Sequence, residues 1–389
     1  MRLRYTSPLS LPQVSRHELP AAAQASVHVE PPGADRLLPR HAPEFIDDPA
    51  ATGLFDGLGA DTYVSPPAFL TAFQRPTLFG YRALAWDGRF CTDAAGTASA
   101  ETGRFLDGLS SPDPFPNEDT GLTAAPGGGF DLPCGSRRQR HHAGTAVVLC
   151  SHEPSNYGSF LFRVLPKLHA VRAHGLGHLP VVVWAHNPAF LELLRLAGVP
   201  PSQVIQHDTG AFVTFDRVIA PSLRNPHAYL DSESHAFFQD MARDNGGTGG
   251  GRRLYVSRLG QGRRSVSTRL MLNEAEVAAA MAGLGFEVIE PEQLSPAEQI
   301  AAFASADIVV GPSGSGMFNV VFCRPGTKVL DIESEPNWIY AHTGLFASCK
   351  ARYGLFVAAV DPADPAPVHK RFSVDVPALT ARVAAFLQS

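Results

Sequence analysis

A chain of 389 residues is longer than one hydrophobic core ordinarily serves, so its length predicts two domains. With 44% hydrophobic and 18% charged residues the composition is that of a soluble globular protein, and a formal net charge of -5 argues against a chain built to neutralise a nucleic-acid backbone. Five scattered cysteines (Cys91, Cys134, Cys150, Cys323 and Cys349) lack the paired spacing of a zinc site or a disulfide framework, which predicts reduced thiols and no bound metal.

Taken in chain order, residues 1–60 are rich in proline, glycine and alanine and predict an extended arm. The opening MRLRYTSPLSLPQV lacks the apolar core of a signal peptide, and no run reaches the roughly 18–20 apolar residues of a bilayer span, so a cytoplasmic location is expected. Alternation in YRALAWDGRFCTD (Tyr81–Asp93), with Asp87-Gly88 at its turn, predicts a β-hairpin. Residues 108–143 read as loop, and 1–143 is assigned as an arm and β-rich lead-in of the first domain. From Gly144 the pattern changes. The continuous apolar run TAVVLC (Thr145–Cys150) predicts a parallel strand buried on both faces. Phe160, Val164, Leu168 and Val171 then recur at helical spacing. PVVVWA, PAFLELLRLAG, QVIQHD and DRVIA continue as strand, helix, strand and strand, giving a Rossmann-like domain over 144–244.

NGGTGGG, residues 245–251, predicts a flexible linker and the main domain boundary. Alternation restarts over 252–372. RLYVSR is a strand, and NEAEVAAAMAGLG is a helix with Asn273 as cap and Glu276 completing a capping box. FEVIE is a strand. SPAEQIAAFASA is a helix with Ser295 as cap, Pro296 in the first turn and Glu298 closing the box. ADIVVG, KVLDI and GLFVAAV are further strands. The closing helix, 373–389, shows Val376, Leu379, Val383, Phe386 and Leu387 on one face, so it should dock on a core. The expected fold class is α/β, two Rossmann-like halves joined by a glycine hinge.

Between two of these strands lies Gly311-Pro312-Ser313-Gly314-Ser315-Gly316, a turn that opens a helix. A helix N-terminus presents unbonded N–H groups; glycines at 314 and 316 let a phosphate approach them, and Ser313 and Ser315 add hydroxyl donors. Glycines in such a turn can equally serve packing alone. The turn lacks the Lys-Ser/Thr of a P-loop and follows a late strand, which disfavours a dinucleotide oxidoreductase. Arg252, Arg253, Arg258, Arg263, Arg264 and Arg269 surround the first strand of the same domain. Arg252, Arg253 and Arg269 read as a solvated basic loop. Arg258, at the strand's C-terminal end, and Arg263 are placed to pair with a diphosphate.

Four blocks together resemble glycosyltransferase family 61. They are Asn156-Tyr157-Gly158-Ser159-Phe160-Leu161-Phe162 with Leu165-Pro166-Lys167-Leu168, then Tyr255-Val256-Ser257-Arg258, then Gly311 to Asn319, then Pro325-Gly326 with Val329 to Ile332. The resemblance, to a bacterial-type member, implies a GT-B fold: two Rossmann-like domains facing a cleft, with the closing helix crossing back onto the first. It implies an inverting, metal-independent sugar transfer from a nucleotide sugar, with a uridine diphosphate sugar expected, and no cofactor. The implied acceptor is a saccharide or lipid-linked glycan of surface polysaccharide synthesis; peripheral contact with the cytoplasmic membrane face stays open, and nucleic acid is not an expected partner. The family's two histidines stand here as Ser159 and Ser313, with Phe160 for its tryptophan. The alternative is therefore a catalytically degenerate transferase-fold protein that binds nucleotide or glycan.

An inverting transfer needs one base to deprotonate the acceptor hydroxyl as it attacks the anomeric carbon. His152 and Glu153, directly after TAVVLC at a strand's C-terminal edge, are the candidates; Asp231 and Glu233 read as helix caps. Asn156 reads first as the cap of the helix from Tyr157, and Asn156, Tyr157 and Ser159 are the candidate acceptor contacts. On the nucleotide side stand Arg258, Arg263, Ser313, Gly314, Ser315 and Gly316, with Met317 and Asn319 completing the turn. Pro291 is placed beside a nucleobase and Glu333 on ribose hydroxyls. His141 and His142 are adjacent and point apart in an extended chain, so no metal is expected there.

Overall fold

The computed structural model describes residues 1–30, 37–59, 61–94, 106, 119–133, 135, 137–225, 228–246, 249–262, 269–336 and 339–389. The chain forms two units, Met1–Arg36 with Ser65–Pro226, and Leu37–Val64 with His227–Ser389. Each is mixed α/β.

In the first unit, strands pair parallel in the order Ala211–Pro221, Arg138–Val148, Val181–Val183, Val204–Gln206. The helices Lys167–Ala173 and Pro188–Leu196 lie in the long connections that parallel neighbours require. The strand at Arg138 starts inside the stretch read as loop. Its first half pairs with Ala211–Phe215 yet stays largely exposed, so no buried alternation announces it. The register shifts before Thr145, where Gly144 adopts φ 83°. Phe69–Gln74 and Thr77–Phe79 extend the sheet antiparallel beyond Ala211–Pro221, and the hairpin of Ala83–Trp86 and Arg89–Cys91 follows. Asp87 (φ 43°) and Gly88 (φ 70°) are both left-handed, as a two-residue turn matched to strand twist requires. Phe73, Trp86, Val148, Val182 and Val218 join in one core drawn from both halves of this sheet.

The second unit holds a six-stranded parallel sheet in the order Glu287–Ile289, Arg252–Val256, Ala306–Pro312, Lys328–Glu333, Arg352–Val357, Ile46–Asp47. The last strand corrects the assignment of 1–143 to the first domain, because residues 37–64 belong here. Aromatic and charged anchors explain it. The Phe45 ring packs edge-on to Phe386 (5.1 Å) under the Arg382 guanidinium (4.6 Å), and Glu44 pairs with Arg352 (2.7 Å).

The domain boundary also moves. The helix Ser232–Asp244 belongs to the second unit, where Phe238 meets Phe322 (5.5 Å) and Gln239 donates to the Cys323 carbonyl (2.9 Å). Residues 245–251 therefore lie within a unit, not between two. The closing helix Val376–Gln388 buries Leu379, Val383 and Phe386 with Val277 and Met281 of the helix Glu274–Gly283, and Lys328 Nζ donates to the Phe386 carbonyl (2.8 Å). Its apolar face thus completes the core of its own unit, where a crossing back onto the first was expected.

Ser295 and Glu298 form the capping box of the helix Pro296–Ala304. Asn273 makes no cap. Its amide bonds the Val374 N–H and carbonyl (3.0 and 2.8 Å), a tertiary partner displacing the local one. Among the described residues no helix is long and apolar enough to cross a membrane, and Cys91, Cys150, Cys323 and Cys349 are buried free thiols.

Candidate nucleotide and acceptor sites

Parallel pairing sets the C-terminal ends of Arg252–Val256, Ala306–Pro312 and Lys328–Glu333 side by side, the edge at which open α/β sheets bind ligands. The glycine turn leaves the middle strand there, and its glycines divide by role. A Cβ on Gly311 would lie 2.9 Å from both Met317 Sδ and Val256 Cβ, so this glycine serves strand packing. One on Gly316 would meet Val256 Cγ1 at 3.2 Å and Pro291 Cγ at 3.4 Å, again a packing contact. At Gly314 the nearest atom would be Arg258 Nη1 at 3.4 Å, so here the bare backbone faces a guanidinium.

Met317 and Asn319 turn inward. Met317 is fully buried, and Asn319 Nδ2 donates to Gln299 Oε1 (2.9 Å) and the Gly316 carbonyl (3.1 Å). Both help to hold the 3-10 helix Ser315–Phe322. Pro291 is buried against the same turn, and its carbonyl accepts from Gln299 Nε2 (2.8 Å).

Arg258 is anchored at both ends. Its N–H and the Ser257 hydroxyl (3.0 Å) converge on Glu274 Oε1, and its Nη1 donates to the Ser313 carbonyl (3.3 Å). Burial draws the guanidinium below the ordinary arginine value and Arg269 adds to this, while Glu274, Glu292 and Glu333 oppose; it stays charged. Burial also raises the Glu274 carboxyl, against the donors it accepts. Glu274 carried no separate signal in a helix start read around Asn273 and Glu276. Arg263 lies outside the described residues.

Arg269, read as solvated, is buried and donates to Glu333 Oε1 (2.6 Å). The N–H groups of Ser334 and Glu335 reach the same oxygen at 2.9 and 3.2 Å. Glu333 Oε2 is buried and has no partner among the described residues. One carboxylate oxygen is saturated and the other awaits a donor.

Ser313 is 2% exposed, and its hydroxyl lies 3.1 Å from Nε2 of His342, a residue 29 positions on. His342 Nδ1 stands 3.2 Å from Asp331 Oδ2. Burial raises the Asp331 carboxyl, against the pull of His342. An imidazole therefore stands beside the glycine turn after all, delivered by the helix Ile339–Ser348. No local pattern in NWIYAH marks it.

Residues 157–330 match the family model of glycosyltransferase 61. A curated relative, beta-1,2-xylosyltransferase XAX1 of Oryza sativa subsp. japonica, is 30% identical over 148 residues, covering 35% of this chain and 25% of the relative. The chain thus spans about a quarter of that relative's length. The chain is thus similar to glycosyltransferase 61 over residues 157–330 and, over a shorter span, to a xylosyltransferase.

The matched segment opens in the first unit at a capped helix. Asn156 Oδ1 accepts from the Ser159 N–H (3.1 Å), the cap its position predicts. Ser159 is buried, and its hydroxyl donates to Glu153 Oε2 (2.8 Å), which also accepts from Arg163 (3.2 Å). Glu153 holds φ 47°, a left-handed conformation that a non-glycine residue keeps only when its surroundings enforce it. Its Oε1 lies 4.0 Å from His152 Nε2. The structure thus joins His152, Glu153, Asn156 and Ser159 in one corner, with Ser159 turned onto the carboxylate. Tyr157 leans toward Phe190 (6.5 Å). The helix then widens to π-helical over Phe160–Val164, a distortion frequent at functional sites. Asp231 caps its helix through the Ser234 N–H (2.7 Å).

Next to this corner lies a buried network of which only Lys167 belongs to one of the four sequence blocks. Asp93 accepts from Arg82 Nη1 (2.8 Å), Lys167 Nζ (2.7 Å) and Ser151 Oγ (2.8 Å). Lys167 also donates to the Cys150 carbonyl (2.8 Å). Burial alone would raise the Asp93 carboxyl, but Lys167 and Arg82 hold it below the usual carboxylate range. Burial lowers the Lys167 ammonium, and the Asp93 carboxylate 2.7 Å away opposes that shift. The network pins Ser151, the residue before His152.

Proposed function

We propose that the chain is an inverting glycosyltransferase of the GT-B class that moves a sugar from a uridine diphosphate donor to a saccharide or lipid-linked acceptor, without a required metal. The observation that carries this reading is the edge of the second-unit sheet. There Arg258, the bare backbone of Gly314 and the N-terminus of the helix from Ser315 meet, inside the segment matched to glycosyltransferase 61. A guanidinium and helix amides are the groups that stabilise a leaving diphosphate when no metal does so. Glu333, with one oxygen held and one open, supports a ribose hydroxyl contact at the same edge.

On the acceptor side Glu153 is the proposed base, with His152 beside it. Ser159 and Arg163 hold Oε2, leaving Oε1 for the acceptor. It removes the acceptor hydroxyl's proton as that oxygen bonds the anomeric carbon and the bond to the diphosphate breaks. A cytoplasmic role in surface polysaccharide or lipid-linked glycan synthesis is the proposed setting.

The test is a panel of nucleotide sugars, including uridine diphosphate xylose because of the rice relative, followed by nucleoside diphosphate release and thermal shift. At least one uridine diphosphate sugar should be turned over or should raise Tm by binding the folded state. A panel in which none is hydrolysed and none shifts Tm removes the donor site.

A further inference from the structure

Ser313 is held at three points. Its N–H donates to the Ile332 carbonyl (2.9 Å), its hydroxyl meets His342 Nε2 (3.1 Å), and its carbonyl accepts from Arg258 Nη1 (3.3 Å). Asp331 stands behind His342 at 3.2 Å. Asp331 and Ile332 are neighbours on the strand Lys328–Glu333, so one strand secures the serine's backbone and sets a carboxylate beside the imidazole.

We infer that His342 and Ser313 form a positioning relay that fixes the glycine turn so that the Ser313 carbonyl holds Arg258 ready for a diphosphate. The ligand in this statement rests on the nucleotide reading above; the relay geometry does not. Gly314 follows with φ 160° and ψ 177° and has no side chain to anchor the peptide before it. Glycine leaves that peptide free to turn, so the serine side chain decides where its carbonyl points. A long arginine loses much rotamer freedom when it binds an anion. A carbonyl that already selects the rotamer lowers that cost.

A hydroxyl can donate to Nε2 or accept from it, so the Ser313 contact is available to either imidazole tautomer. The rings of Phe318 (4.9 Å) and Phe346 (5.8 Å) flank the imidazole, and Glu333 and Arg269 are the further charges acting on Asp331. His342 is itself 2% exposed, so it acts through Ser313 as a positioning residue and not as a ligand contact.

Two substitutions separate the two nitrogens of the imidazole. A glutamine at 342 carries its amide about where Nε2 sits, an asparagine about where Nδ1 sits. His342→Gln keeps the partner of Ser313 and gives up Asp331; His342→Asn does the reverse, and Ser313→Ala removes the link from the other side. Amide hydrogen exchange over residues 311–319 is read in ligand-free protein, and uridine diphosphate affinity by calorimetry. His342→Asn and Ser313→Ala should speed exchange in the turn and weaken uridine diphosphate about tenfold, the size of one lost hydrogen bond to a charged group. His342→Gln should stay within about threefold of the parent. Ser313→Ala combined with Arg258→Ala should bind no more weakly than Arg258→Ala alone, because both losses run through one guanidinium. Equal effects of Asn and Gln, unchanged exchange in both His342→Asn and Ser313→Ala, or additive losses in the double variant would overturn the relay. If the parent protein binds no uridine diphosphate, the nucleotide reading fails, and the exchange comparison still decides the relay.

Discussion

Alanine at Gly311 and alanine at Gly314 should have opposite consequences, although the two glycines share one turn. A methyl on Gly311 would sit 2.9 Å from Met317 Sδ and Val256 Cβ and 3.0 Å from the Val256 carbonyl oxygen. The sulfur can swing aside. The carbonyl belongs to the neighbouring strand and cannot move without disturbing the pairing of Arg252–Val256 with Ala306–Pro312. Overpacking of this kind costs about 1–3 kcal/mol, offset by about 0.4–1 kcal/mol from a stiffer unfolded chain. Gly311→Ala should therefore destabilise the second unit by about 1–2 kcal/mol, lowering its Tm by about 2–8 °C. Gly314 is extended, a conformation open to any residue, and its added methyl makes ordinary contact with Arg258 Nη1 at 3.4 Å. Gly314→Ala should change stability by no more than about 0.5 kcal/mol, yet weaken uridine diphosphate because the methyl stands on the guanidinium's side of the turn. Differential scanning calorimetry with and without excess uridine diphosphate reads both effects. A Gly314→Ala protein that melts as early as Gly311→Ala, or a neutral Gly311→Ala, would refute this division of packing glycine from ligand glycine.

Lys167→Met leaves Asp93 buried with one cation fewer, and breaking one side of a buried pair costs about 3–5 kcal/mol; the first unit should melt far earlier, and an unchanged Tm would show that the pair is not structural. Because Asp93 is held below the usual carboxylate range, its contribution is present above about pH 4 and is lost as pH falls through the lowered folded value. The parent's Tm should drop across that acid window, and less steeply in Lys167→Met. Glu153→Gln keeps an acceptor for Ser159 and Arg163 but cannot take a proton, so turnover should fall at least about a hundredfold with uridine diphosphate affinity unchanged; undiminished turnover assigns the base elsewhere.

Much of the fold was legible because its causes are local. The apolar run before Cys150, the Asp87-Gly88 turn and the Ser295–Glu298 box each need only residues within one element. The resemblance read from four blocks agrees with the segment that the family model matches. The errors fall where distant partners decide. Residues 37–64 look like a proline-rich arm, and only Phe386, Arg382 and Arg352 show which sheet they join. The amphipathic tail announced that it would dock but not where, since an apolar stripe specifies burial without specifying a partner. Arg269 reads as solvated until Glu333 appears beside it, and Asn273 reads as a cap until Val374 claims its amide.

What the sequence determined by itself was the alternation of strands and helices after Gly144, the glycine turn at a strand's end and the arginine two residues past the strand Arg252–Val256. Tertiary structure decided which glycine packs and which faces Arg258, because a missing Cβ has meaning only against the atoms it would touch. It also decided that Ser313 has an imidazole beside it, since His342 reaches the serine from a helix that no period or spacing relates to the turn.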